Sequence, residues 1–228
     1  MNTVQGIVRM HMRDKWSWIY LPWVIVLSSF AINLLIAVLM ADDEKIVTGG
    51  LMSIFIYMLV SGIVAVHHTF PFALGLSVRR KDYFAGTLIM ILAVSAASAL
   101  VLMLLSYIES WTDGWHTDLF FFHLPYVSDG NAPQQFVVFG SLMLFMYLLG
   151  FAISSMFRRF GKTGLYAASI IGLLLGTLLV YGSIYWGWWN GIYDFFQGRS
   201  AFNLALLLLP LSALLALGGY ALLRRSTV

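Results

Sequence analysis

Six long stretches of this chain contain no Asp, Glu, Lys or Arg, and they constrain the fold more than any other feature. They run near residues 18–40, 50–66, 83–107, 136–156, 164–186 and 201–222. A helix needs about 20 mostly apolar residues to cross a hydrocarbon core of roughly 30 Å. In lipid the backbone must satisfy its own polar groups, and long unalternating apolar runs do so as helices. The alternating segments of about 10 residues that build a membrane barrel are absent. Only 10% of the 228 residues are charged, against about 25% in an ordinary soluble domain. The expected fold is an all-α integral membrane protein: a single transmembrane domain of six helices.

The basic residues indicate orientation. Eleven of the thirteen fall on one side of the spans: Arg9, Arg13, Lys15, Arg79, Arg80, Lys81, Arg158, Arg159, Lys162, Arg224 and Arg225. Eight of the ten acids fall on the other, Asp42, Asp43, Glu44 and Glu109 among them. The positive-inside rule then puts both termini in the cytoplasm. The pI near 9.2 thus marks topology, and nucleic acid is excluded as a partner. The first span is longer than the apolar core of a signal peptide and lacks a small-residue cleavage site.

Between the spans, residues 1–16 read as an amphipathic helix, with Val4, Ile7, Val8, His11 and Met12 near helical spacing. Such a helix can lie in the headgroup layer; a frayed polar tail is the alternative. The outer loop 108–135 carries Trp111, Trp115, Phe120, Phe121, Phe122 and Tyr126 and is expected to rest on the outer leaflet. The aromatic segment 181–200 reads as a short re-entrant or interfacial hairpin before the last span.

Catalytic chemistry finds little support. There is no cysteine, no G-x-S-x-G elbow and no histidine in mid-span. His67 and His68 are neighbours whose side chains leave a helix about 100° apart, a poor joint metal site; His116 and His123 share the outer loop. Gly161-Lys162-Thr163 imitates the end of a phosphate-binding loop, but Met156 stands where that loop needs glycine. No metal and no cofactor is expected in this chain. Ser95–Ala99 and the Gly172/Gly176 pair read as close helix packing.

The segment 70–81 is the most informative. Pro71 is expected to break the second span, because it lacks an N–H and crowds the preceding turn. Ser77 can cap a new helix start, and Arg79, Arg80 and Lys81 follow. The segment reads either as an element that docks another protein or as a tight turn with topology charges. The stretch FPFALGLSVRRKDYFAGT resembles the connection between spans two and three in permease subunits of ABC-2-type ABC transporters. The whole layout is similar too, most of all to small Gram-positive peptide exporters of the phenol-soluble modulin type. The resemblance implies two paired six-helix permeases, as homo- or heterodimer, above two cytoplasmic ATPase subunits that bind the ATP and Mg. It implies a coupling segment at 70–81, with Phe70, Pro71, Leu74, Leu76, Arg79 and Arg80 contacting the ATPase, and a connecting helix at 1–16. It also implies a bacterial plasma membrane, and a path between the two permeases lined largely by spans one, two and five. Spans without charge suit hydrophobic or amphipathic cargo, with peptides first and lipid-like molecules next. Two rivals remain: an intramembrane hydrolase or transferase acting through Ser154, Ser155, His67 or His68, and a non-catalytic immunity or scaffold protein.

Overall fold

The computed structural model describes residues 3–40 and 45–226. The acidic stretch Asp42, Asp43 and Glu44 lies outside the described residues. Seven helices follow in order: α1 (Thr3–Arg13), α2 (Leu21–Met40, preceded by a wide turn Trp16–Tyr20), α3 (Met52–Gly75), α4 (Arg80–Trp111), α5 (Ala132–Tyr185), α6 (Trp189–Gln197) and α7 (Ala201–Arg224). Among the described residues five are long and apolar enough to cross a membrane: α2 with its preceding turn, α3, α4, α5 and α7. The fold is therefore predominantly helical and of multi-pass membrane type. Two short strands, β1 (Ile46–Val47) and β2 (Leu119–Phe120), pair in parallel with Ile46 opposite Leu119.

The fourth and fifth expected spans form the two arms of α5, a 54-residue helix interrupted at Gly161. Gly161 has φ 68° and ψ −164°, a combination essentially reserved for glycine. The first arm is the hub of the bundle. It packs on α3, α4 and α7, and buries Phe139, Met143, Tyr147 and Phe151. The second arm, residues 162–185, is exposed along almost its whole length: Leu173 is 72% and Leu179 69% exposed.

Small residues let the backbones meet. A Cβ on Gly150 would overlap the Leu59 carbonyl oxygen of α3, and one on Gly62 would overlap the Tyr147 carbonyl oxygen of α5. The crossing is thus reciprocal. The Ser61 and Tyr147 hydroxyls hydrogen-bond beside it at 3.0 Å. On α4, Ser95, Ser98 and Ala99 are buried, and Gly140 of α5 lies close to the Ala99 methyl, so that small-residue stripe does carry helix packing.

Candidate functional site

The two ends of the bundle differ. At one end Arg80 donates to the Arg224 carbonyl at 2.6 Å, Arg158 donates to the His67 carbonyl, and α1 docks on the start of α4. At the other end lie the strand pair, Glu109 and the aromatic loop.

The segment 70–81 belongs to the first end, and its local structure differs from expectation. Pro71 does not break α3; the helix continues to Gly75 with Pro71 inside it. Proline costs a helix the hydrogen bond to the carbonyl four residues back, here that of His67. Arg158 of α5 supplies the missing donor. Ser77 does not cap α4 either. The residue before α4 is Arg79, with no side-chain cap, and Ser77 ends α3 in the left-handed region at φ 59°. Its N–H donates to the Leu74 carbonyl (2.9 Å) and the Val78 N–H to that of Ala73 (3.1 Å). This is a Schellman closure. The same closure ends the second arm of α5, where Trp188 N–H reaches the Ser183 carbonyl and glycine, Gly187, holds the left-handed position. Serine at that position carries a Cβ penalty of about 1 kcal/mol. Ser77→Gly is therefore expected to stabilise the protein by roughly 0.5–1 kcal/mol, read as a higher apparent Tm in detergent.

The result is a tight tip, residues 76–79, between two long helices. Phe70 is buried, with its ring edge-on to Tyr83 at 5.2 Å. Pro71 and Leu74 are half-buried, and Leu74 packs on the core. Leu76 (64% exposed) and Arg79 are free at the surface. Arg80 is half-buried through its bond to Arg224. Phe72, which sequence reasoning passed over, is 59% exposed. The outward face of the tip is therefore Phe72, Leu76 and Arg79; Phe70 and Leu74 hold it from within.

Next to it, α1 is helical and uses the stripe read from its spacing. Ile7 packs against Gly86, whose added Cβ would stand 2.7 Å from Ile7. His11 is buried, and its Nε2 hydrogen-bonds Thr87 Oγ1 at 3.0 Å. Its ring lies 4.9 Å from that of Trp18. Met12, at the edge of the stripe, is exposed. Burial pushes the His11 imidazole from its ordinary 6.5 down to about 4, against a smaller upward pull from the Asp14 carboxylate. An undocked α1 takes up a proton near pH 6.5 that the docked helix refuses until about pH 4. Docking is therefore full above pH 6.5 and weakens as pH falls toward 4, by roughly 3 kcal/mol at most. Amide protection factors in α1, which correct for the intrinsic slowing of exchange at lower pH, should fall across that window and stay flat in a His11→Gln protein.

At the opposite end Glu109 is fully buried. Its carboxyl accepts from Trp115 Nε1 (2.7 Å), from the Phe121 N–H (3.0 Å), from the Phe122 N–H (2.7 Å) and from the His123 N–H. The loop is thus drawn inward and does not lie flat. Phe121 and Phe122 are buried against Phe30, at ring distances of 5.4 and 5.1 Å. Trp111 alone points fully outward, at 88% exposure. Sequence reasoning treated Glu109 as one more outer acid. The available signal was its place at the end of an uncharged span, one helical turn beyond Ser106.

The hydrolase reading meets this geometry as follows. His67 and His68 are exposed, with rings 5.0 Å apart. Ser155 donates to the Phe151 carbonyl of its own helix, and Ser154 is buried. The Ser–His contact that does occur is Ser106 Oγ with His123 Nδ1 at 3.0 Å. Ser106 is fully buried, and Glu109 holds the backbone of His123 rather than its ring. Among the described residues no group of three His, Cys, Asp or Glu could hold a metal. Gly172 and Gly176 lie on the exposed second arm, and among the described residues no atom beyond their own stretch of helix stands within 4 Å of where their Cβ atoms would be.

No protein-family model, no curated protein and no solved structure matches this chain. The functional reading therefore rests on its own residues.

Proposed function

We propose that this chain is the membrane subunit of an ATP-driven ABC exporter of the ABC-2 type, working as a pair beneath which two ATPase subunits bind. The observation that carries the reading is the tip at 76–79: an exposed apolar and basic surface, braced by Phe70 and Arg158, at the end of the bundle that collects the arginines. In this reading each arm of α5 crosses the membrane, giving six spans with both termini cytoplasmic in a bacterial plasma membrane. The α1 helix lies beside the tip as the connecting helix, and the aromatic α6 sits at the outer interface. The Gly172/Gly176 face of the second arm supports pairing with a second permease. Uncharged spans support a hydrophobic or amphipathic cargo, peptides before lipids.

The test is purification of the tagged chain from native membranes in mild detergent, followed by identification of its companions. A stoichiometric ATPase subunit is expected, and a related permease would mark a heterodimer. The double variant Leu76→Asp, Arg79→Glu changes only exposed residues and should cut the recovered ATPase about tenfold or more, since it reverses one charge and buries another at the contact. A chain that is active yet purifies alone would overturn the proposal.

A further inference from the structure

The outer end of the bundle holds a composite cleft. Its apolar chamber, about 420 Å³, lies between the first arm of α5, α6 and α7. Val138, Leu142, Phe195, Leu204 and Leu208 form its walls. Tyr126, Val127, Val138 and Ala201 are shared with a second, polar chamber of about 170 Å³, whose further walls include Asp129, Gln135 and Ser200. The first volume alone falls within the range of roughly 300–1,000 Å³ typical of small-molecule sites. The division into an apolar body and a polar mouth is the shape of an amphiphile.

The mouth also has a chemical sign. Gln135 is 3% exposed. Its Nε2 donates to the Ser128 carbonyl (2.7 Å) and the Gly130 carbonyl (3.0 Å). Two carbonyl acceptors fix which end of the amide is nitrogen. The Oε1 atom is then left buried with no partner among the described residues. A buried acceptor without a donor costs about 1–3 kcal/mol. Beside it, Asp129 uses one carboxyl oxygen, Oδ2, to accept from the Tyr126 N–H at 2.9 Å. The Arg199 guanidinium lies over the Phe195 ring, 4.1 Å from its centroid. Its carbonyl closes the mouth by accepting from the Tyr126 hydroxyl at 2.8 Å. The polar chamber thus offers acceptors at Gln135 and Asp129, beside the Ser200 hydroxyl and the amide of Gln134, whose Oε1 accepts from the Asn131 N–H.

We infer that this cleft binds a single-chain amphiphile, its aliphatic tail between α5, α6 and α7 and a hydroxyl- or amino-bearing head donating to Gln135 and Asp129. The site is lined by this chain alone. It stands whether or not the exporter reading does.

The test uses the full-length chain in detergent with a photoactivatable probe, 1-dodecylglycerol carrying a diazirine in its chain. Its dimethyl ether has the same tail and no donors. The glycerol probe is expected to label residues 126–142 and 195–211 saturably, and the ether at least fivefold less. Leu208→Trp fills the chamber and should remove most labelling, whereas Leu214→Trp, at an exposed position of the same helix, should leave it unchanged. Gln135→Met should abolish the preference for the glycerol head. Extraction of the purified wild-type chain separates the sources: a retained donor-headed lipid that Leu208→Trp loses means the membrane supplies the ligand. Saturable uptake of added probe with no retained lipid means a free amphiphile does. Labelling spread evenly over the lipid-facing helices, or equal labelling by probe and ether, would overturn the inference.

Discussion

Replacing Gly150 by alanine is expected to lower the apparent Tm by about 6–12 °C and to reduce the yield of folded protein. The new methyl would meet the Leu59 carbonyl oxygen, with the Leu59 carbonyl carbon at 3.0 Å and Ile63 N at 3.1 Å. These are backbone atoms of a helix and cannot rotate aside as a side chain would. The two helices must separate, losing the Ser61–Tyr147 hydrogen bond and the packing of Tyr147 and Phe151. Overpacking of this kind costs about 3 kcal/mol, and in a chain of this size each kcal/mol moves Tm by roughly 2–4 °C. Gly62→Ala should behave in the same way, since the crossing is reciprocal. Gly172→Ala provides the contrast. That glycine has open space around it, and alanine is the better helix former, so the purified single chain should be no less stable. Thermal unfolding of all three variants followed by circular dichroism decides the matter; a Gly150→Ala protein as stable as wild type would mean the helices do not touch there.

The second large effect concerns the loop that follows α4. Glu109→Ala is expected to leave the helices intact and to release residues 114–129. Removing the carboxyl orphans the Trp115 indole and the N–H groups of Phe121, Phe122 and His123. Each unmet donor costs roughly 1–3 kcal/mol while it stays buried, so the loop opens to find water. Amide exchange at Phe121 and Phe122 should rise by roughly three orders of magnitude, matching a local loss of about 4 kcal/mol. Glu109→Gln should fall between, because its amide must turn a donor toward other donors. Limited proteolysis within 114–129 gives a second readout. A loop that stayed protected in Glu109→Ala would assign its order to the packing of Phe121 and Phe122 on Phe30 instead.

What was legible in the sequence follows the physics of each element. The spans were readable because an uncharged apolar run has few alternatives in lipid, and the face of α1 was readable because helical spacing is local. The continuation of α3 through Pro71 was not. It depends on an arginine 87 positions away in the chain, Arg158, meeting the freed carbonyl. Ser77 looked like a helix start because serine favours caps; its actual role, ending α3 with a positive φ, is one that glycine more often fills. Glu109 was hidden for the opposite reason. Three of its four partners are backbone N–H groups, which carry no sequence signature. The outward face of the tip also had to await the fold: Phe70, Phe72, Leu74 and Leu76 are equally apolar in sequence, and only the packing separates the buried from the free.

The break at Gly161 turns α5 into a rod on a pivot. The second arm has 24 residues, about 36 Å of helix, and few side chains brace it against the bundle. A change of only about 10° at that one backbone joint would carry the far end through roughly 6 Å. The aromatic turn at Trp186–Trp188 would sweep an arc at the far end of the arm while the arginines beside the pivot stayed almost still. A β-carbon at position 161 would meet no packed side chain, yet it would strain a backbone conformation that glycine alone tolerates and drive the joint to a different angle.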